Sequence, residues 1–114
     1  MLQEVVLSSQ RWNLLEQAQE RMPGVAVCYS IDSVGQLAAF KELLARGKPP
    51  LAISIRHLHL SRGLIRVIKD NEVAILAWTV DEPPRAYELV QWGVDGIISN
   101  NLALLLSLKE AAAH

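Results

Sequence analysis

One cysteine, Cys28, is all the chain has, so no internal disulfide can hold the fold together. It sits in the apolar run Val25-Ala26-Val27-Cys28-Tyr29, where a buried, inert thiol is the ordinary reading, and no histidine follows nearby in sequence to activate it. Charge of either sign is not in excess. Eleven Lys plus Arg against twelve Asp plus Glu leave a net charge of -1, which gives no broad basic field for nucleic acid or anionic lipid. No apolar stretch approaches the roughly 18 residues of a membrane span. Met1-Leu2-Gln3-Glu4 has no basic segment ahead of an apolar one, so no leader is read here and a cytoplasmic, reducing location is expected. Linkers and low-complexity stretches are absent too.

What is there is apolar. Hydrophobic residues make up 51% and charged residues 20% of the 114, with a mean hydropathy of +0.20, which points to one domain, residues 1–114, with buried strands. Short β-rich runs alternate with helical patterns throughout, the sequence form of strand-helix crossovers and a parallel sheet. The runs are Val5 to Ser9, Val25 to Ile31, Leu51 to Arg56, Val73 to Val80 and Gly96 to Ser99. Between them, helices are predicted from about Trp12 to Met22, stopped by Pro23-Gly24, and from a Ser33–Gln36 capping box to about Arg46, stopped by Gly47 and Pro49-Pro50. A third starts near Ser61, a fourth has Pro83-Pro84 in its first turn and closes at Gly93, and the last is capped by Asn100 or Asn101.

Five such units fit either an arc of a barrel or a small doubly wound sheet. The third run separates them. Leu51, Ile53 and Ile55 share one face, while Ala52, Ser54 and Arg56 share the other. A doubly wound sheet is usually apolar on both faces, whereas a small and polar face suits a barrel lumen with Arg56 near the end where barrel enzymes place their chemistry. The expected fold is therefore α/β, a partial (β/α)8 barrel of about five parallel strand-helix units forming an open arc.

The stretch Ala77-Trp78-Thr79-Val80-Asp81-Glu82-Pro83, followed by Gly93-Val94-Asp95-Gly96-Ile97-Ile98-Ser99-Asn100, resembles the closing signature of glycerophosphodiester phosphodiesterases. That signature has a Trp-Thr-Val-Asn-like strand end before a Gly-Val-Asp-Gly-Ile-Ile-Thr-Asp-like final strand. Val5-Val6-Leu7-Ser8-Ser9 is similar to the family's mid-barrel strand ending in Ser-Ser-Phe, so the likeness covers about the last five strands of such a barrel. Departures are Gln10 for the Phe, Asp81 for the Asn and Ser99-Asn100 for Thr-Asp. The family's His-Arg-Gly segment, Glu-x-Asp strand end, second catalytic His and Glu-Ile-Lys strand have no counterpart in these residues.

The resemblance implies hydrolysis of glycerophosphodiesters to glycerol 3-phosphate and an alcohol, with a divalent cation, calcium or magnesium, and two histidines in the complete barrel. Cleavage needs charge neutralisation on the phosphoryl oxygens and proton transfer to the leaving alkoxide, and the segments that would supply them are missing. This chain alone is expected to be inactive and to contribute only substrate positioning. A non-catalytic phosphate-ester-binding or regulatory module, and a truncated reading of a longer gene, are the alternatives. The open edges of an arc invite a homo-oligomer or assembly with a separate amino-terminal half.

Three residues are candidates for the substrate site. By resemblance Trp78 packs on the glycerol part at the barrel mouth, with a core aromatic as the alternative. Arg56 either holds a phosphate oxygen or is a solvated strand-end cation. Ser9 lines the pocket by resemblance or caps a turn. His57 and His59 have no acidic neighbour, and strand parity turns both from the lumen, so an exposed or capping role is expected for them. Asp95 belongs to the structural end of the barrel, and Ser99 and Asn100 to the end where a helix amino terminus can receive phosphate, although a plain capping role is expected for them.

Overall fold

The computed structural model describes residues 6–9, 12–22 and 26–112, with side chains of 12–22 and 27–110. Gln10 and the expected Pro23-Gly24 stop lie outside the described residues. In chain order the elements are β1 (Val6–Ser9), α1 (Trp12–Arg21), β2 (Ala26–Ile31), α2 (Val34–Ala45), β3 (Ala52–Arg56), a 3-10 turn (His57–His59), α3 (Arg62–Asp70), β4 (Ala74–Trp78), α4 (Pro83–Trp92), β5 (Gly96–Ile97) and α5 (Leu102–Ala112).

Local chemistry sets the helix ends. Ser33 Oγ accepts from Gln36 N at 3.1 Å while Gln36 Oε1 accepts from Ser33 N at 3.1 Å, the reciprocal capping box that the sequence suggests for α2. Ser61 Oγ accepts from Leu64 N at 3.1 Å and opens α3. Pro83 and Pro84 occupy the first turn of α4, where missing N–H groups cost nothing, and Gly93 ends it at φ 110°, a left-handed conformation that glycine adopts without strain. Asn101, not Asn100, caps α5, its Oδ1 accepting from Leu104 N at 3.1 Å.

All strand pairs are parallel, and the sheet order is β1-β2-β3-β4-β5. Each crossover thus steps one strand in the same direction. Right-handed crossovers that never reverse place every helix on one face of the sheet, as in a barrel arc and unlike a doubly wound sheet. Burial follows. On the helix side Ile31, Ile53, Ile55, Ile75 and Ala77 are fully buried, packed with Phe40, Ile65, Ile68 and Leu89 from the helices. Removing each such isoleucine side chain from water contributes about 1.5–3 kcal/mol. In the other row Ala52, Leu76 and Trp78 are half-buried, while Cys28, Ser30 and Ser54 are buried. Leu51, expected to join the helix-covered face, precedes β3 and is exposed.

The lumen row is small where strands crowd. Ser30 Oγ and Ser54 Oγ lie 3.0 Å apart across β2 and β3, and a Cβ on Gly96 would come within 2.5 Å of Leu76 Cδ2 across β4 and β5. β5 is shorter than its sequence run, yet Ile98 N still donates to Ala77 O at 2.8 Å.

At the amino end of the strands Asp95 ties three elements. Its Oδ2 accepts from Lys69 Nζ at 2.6 Å and from Ile75 N at 2.8 Å, and its own N–H donates to Ile75 O at 2.9 Å. Burial alone would raise its pKa, but Lys69 and the Ile75 N–H outweigh that and hold the carboxyl below its usual value. A depressed pKa stabilises the fold above the unfolded value of about 4 and loses that contribution as pH falls through the folded one. Urea titrations at pH 7 are expected to show Asp95→Asn destabilised by about 1–2 kcal/mol, the range for hydrogen bonds at a solvent-screened site. The deficit should shrink as the pH falls below about 4; a pH-independent deficit would contradict the assignment.

Candidate functional site at the carboxyl ends of the strands

The parity that puts Ser54 in the lumen carries Arg56 to the mouth, and the register pairs Arg56 with Trp78 on β4. The Arg56 guanidinium lies over the Trp78 ring, 4.9 Å from its centroid. Two residues beyond Ser30, at the end of β2, Asp32 Oδ1 accepts from Arg56 Nε at 2.5 Å. Carboxylate, guanidinium and indole therefore form one row across three strands. The hydrogen bond from Arg56, more than charge alone, holds the Asp32 carboxyl below its usual range, and Asp32 in turn raises the pKa of Arg56.

This row is half solvent-exposed, with 43% of the Arg56 side chain and 34% of the Asp32 side chain accessible. Asp32 occupies only Nε. A guanidinium has five N–H donors in a fixed fork, so its terminal amino groups can still meet a phosphoryl oxygen while Nε stays anchored and the plane stays stacked. Arg56 is thus neither a freely solvated cation nor a loose one.

Trp78 and Arg56 are brought together; Ser9 is not shown beside them. The register aligns Ser9 with Tyr29 and Ile53, in the helix-covered row, and aligns Ser8 with Cys28 in the lumen row. The Ser9 side chain lies outside the described residues.

The histidines depart from the strand geometry read from sequence. Residues 57–59 form a 3-10 turn, so alternation ends at Arg56 and does not dictate where they point. His59 Nε2 lies 2.9 Å from Asp32 O, at the mouth. His57 Nδ1 accepts from Arg85 Nε at 3.2 Å, and Arg85 also donates to His57 O at 2.7 Å and Leu60 O at 3.1 Å. Burial first, then the charge of Arg85, lowers the His57 pKa against an opposing effect of Glu82.

On the far side of the mouth Asp81 gathers the loop before α5. Its carboxylate accepts from Asn100 N and Ser99 Oγ, both at 2.8 Å, and those bonds, the backbone one first, hold its pKa below the usual value. Asn100 N and Leu104 N, backbone donors at the start of α5, are taken by Asp81 and Asn101 and are not free for a phosphate. Among the described residues no three His, Cys, Asp or Glu side chains converge as a cation site, so the donor set does not fit the divalent cation that the resemblance implies.

Residues 3–104 match the Glycerophosphoryl diester phosphodiesterase family. Glycerophosphodiester phosphodiesterase GDPD4 of Arabidopsis thaliana is 26% identical over 90 residues, covering 79% of this chain and 27% of that protein. Among solved structures, glycerophosphodiester phosphodiesterase from Thermotoga maritima superposes with a TM-score of 0.68 at 23% identity, over 90% of this chain and 46% of that one. A phosphodiesterase of Oleispira antarctica in complex with the product sn-glycerol-3-phosphate superposes with a TM-score of 0.66 at 20% identity, over 82% and 37% respectively. The chain thus spans about a quarter of the length of the curated relative, in the arc of barrel described above. With the match running through β1 to the start of α5, this chain belongs to the glycerophosphoryl diester phosphodiesterase family.

Proposed function

We propose that this chain forms the substrate-positioning side of a glycerophosphodiester phosphodiesterase barrel. In this reading Arg56 holds a phosphoryl oxygen, Trp78 packs on the glycerol, and Asp32 keeps Arg56 in place. The observation that carries it is the cross-strand row Asp32–Arg56–Trp78, a charged donor and a flat apolar surface side by side at the carboxyl ends of adjacent strands. That pairing suits a ligand with an anionic end and a polyol end. The product named in the Oleispira complex has that composition, which supports the reading.

Hydrolysis would further require neutralised phosphoryl charge and a proton donor for the leaving alkoxide. The described residues gather no cation-binding set, so the calcium or magnesium ion and the acid-base groups would belong to other parts of a complete barrel. The chain alone would then bind and not turn over. Its two edge strands, β1 and β5, are where such further strands, or a second copy, would add.

Two measurements test this. Purified chain incubated with glycerophosphocholine and calcium or magnesium should release no more product than Trp78→Ala; clear turnover above that control would overturn the inactivity. Titration with sn-glycerol 3-phosphate, followed by tryptophan fluorescence, should give a saturable change that Trp78→Phe removes. Arg56→Ala should weaken that binding about tenfold or more, the usual loss for a hydrogen bond to a charged group. Unchanged affinity in Arg56→Ala would assign the phosphate elsewhere.

A further inference from the structure

A hollow of about 370 Å³ lies between the turn that follows Arg56 on β3 and the segment that follows Trp78 on β4 and leads into α4. His57, Thr79, Asp81, Glu82 and Arg85 are among the residues that line it, and Arg85 is bonded to His57. The state of the imidazole follows from its partner. A guanidinium has only donors, so a nitrogen that accepts from Arg85 must carry a lone pair. Nδ1 is that nitrogen, and His57 is therefore the neutral tautomer with its proton on Nε2.

Arg85 is fixed in that role by the rest of its bonds. Nη1 donates to Glu88 at 2.6 Å, Nη2 donates to the carbonyls of His57 and Leu60, and the guanidinium lies over the Trp92 ring at 5.6 Å. All three guanidinium nitrogens are thus engaged. Burial and the Arg85 charge both disfavour protonating His57, in agreement with that tautomer. No described residue accepts from His57 Nε2.

We propose that this hollow receives the alcohol portion of a phosphodiester, and that His57 Nε2–H donates to an uncharged oxygen of it. The inference rests on the reading of Arg56 and Trp78 as the phosphoglycerol site. An anionic group is the wrong occupant: Asp81 and Glu82 line the hollow, the imidazole is neutral, and the one cation in the lining, Arg85, already has its guanidinium bonded to Glu88, His57 and Leu60. The phosphoryl end therefore stays on Arg56, and an uncharged headgroup, such as a second glycerol, fills the His57 side. Arg85 is a positioning residue, acting through the tautomer it imposes.

The test uses the full chain with glycerophosphoglycerol, which has a headgroup, and sn-glycerol 3-phosphate, which has none. Nitrogen-15 NMR of the histidine rings should show His57 in the Nε2–H form at pH 7 before any ligand is added; an Nδ1–H or doubly protonated ring would overturn the proposal. Both ligands should change Trp78 fluorescence, but only glycerophosphoglycerol should shift His57 Nε2. His57→Phe should lower the preference for the diester over the monoester about fivefold to tenfold, the loss expected for one hydrogen bond, and His57→Gln, which keeps a donor, should restore part of it. If Trp78 responds to both ligands while His57 Nε2 does not move and His57→Phe keeps the preference, the headgroup assignment fails and the phosphoglycerol site stands. If Trp78 responds to neither, both fail together.

Discussion

The structure depends on a constraint of handedness: parallel strands laid down in chain order, each joined to the next by a crossover of the same hand. That constraint sends all helices to one face and leaves the opposite face to be lined by small and polar side chains. Ile53, Ile55 and Ile75 can then be fully buried under helices while Leu76 and Trp78 in the opposite row stay half-buried and Ser54 pairs with Ser30. Arg56 and Trp78 inherit their direction from this alternation. A one-residue slip in β3 would bury the guanidinium of Arg56 beneath the helices and expose its isoleucines.

Carboxylates then hold the loops at both ends of the arc. Asp95 ties the approach to β5 to the first residues of β4, Asp32 anchors Arg56, and Asp81 collects Ser99 and the Asn100 N–H. All three have pKa values below the ordinary range, for reasons of hydrogen bonding that differ in detail. Shared chemistry serves separate ends: the one at the amino ends of the strands supports the fold, and the two at the carboxyl ends shape the mouth. The mouth pair act by orienting neighbours, Asp32 on Arg56 and Asp81 on the Ser99–Asn100 loop.

Much of this was legible from residue order. Alternation in Ala52-Ile53-Ser54-Ile55-Arg56 exposes the two faces of β3 and sends Arg56 to the mouth, and the Trp78 and Gly93–Gly96 segments carry the family likeness. Other features were hidden because they depend on neighbours distant in sequence. Asp32 stands 24 residues before Arg56, and nothing in Ser30-Ile31-Asp32-Ser33 marks it except that it continues the lumen parity of Ser30. Strand parity does not place His57 and His59, because a 3-10 turn cancels it past Arg56. Arg85 fixes the tautomer of His57 across 28 residues, and no local pattern announces such a bond.

The most direct test of the arc is the accessibility of its two faces. In a Cys28→Ala background, a cysteine placed by Leu76→Cys lies in the lumen row, and one placed by Ile75→Cys lies under the helices. Thiol labelling under native conditions should be rapid at position 76 and should require unfolding at position 75. Equal protection of both positions in a monomer would mean a sheet covered on both sides, and would contradict the open concavity on which the placement of Arg56 and Trp78 rests.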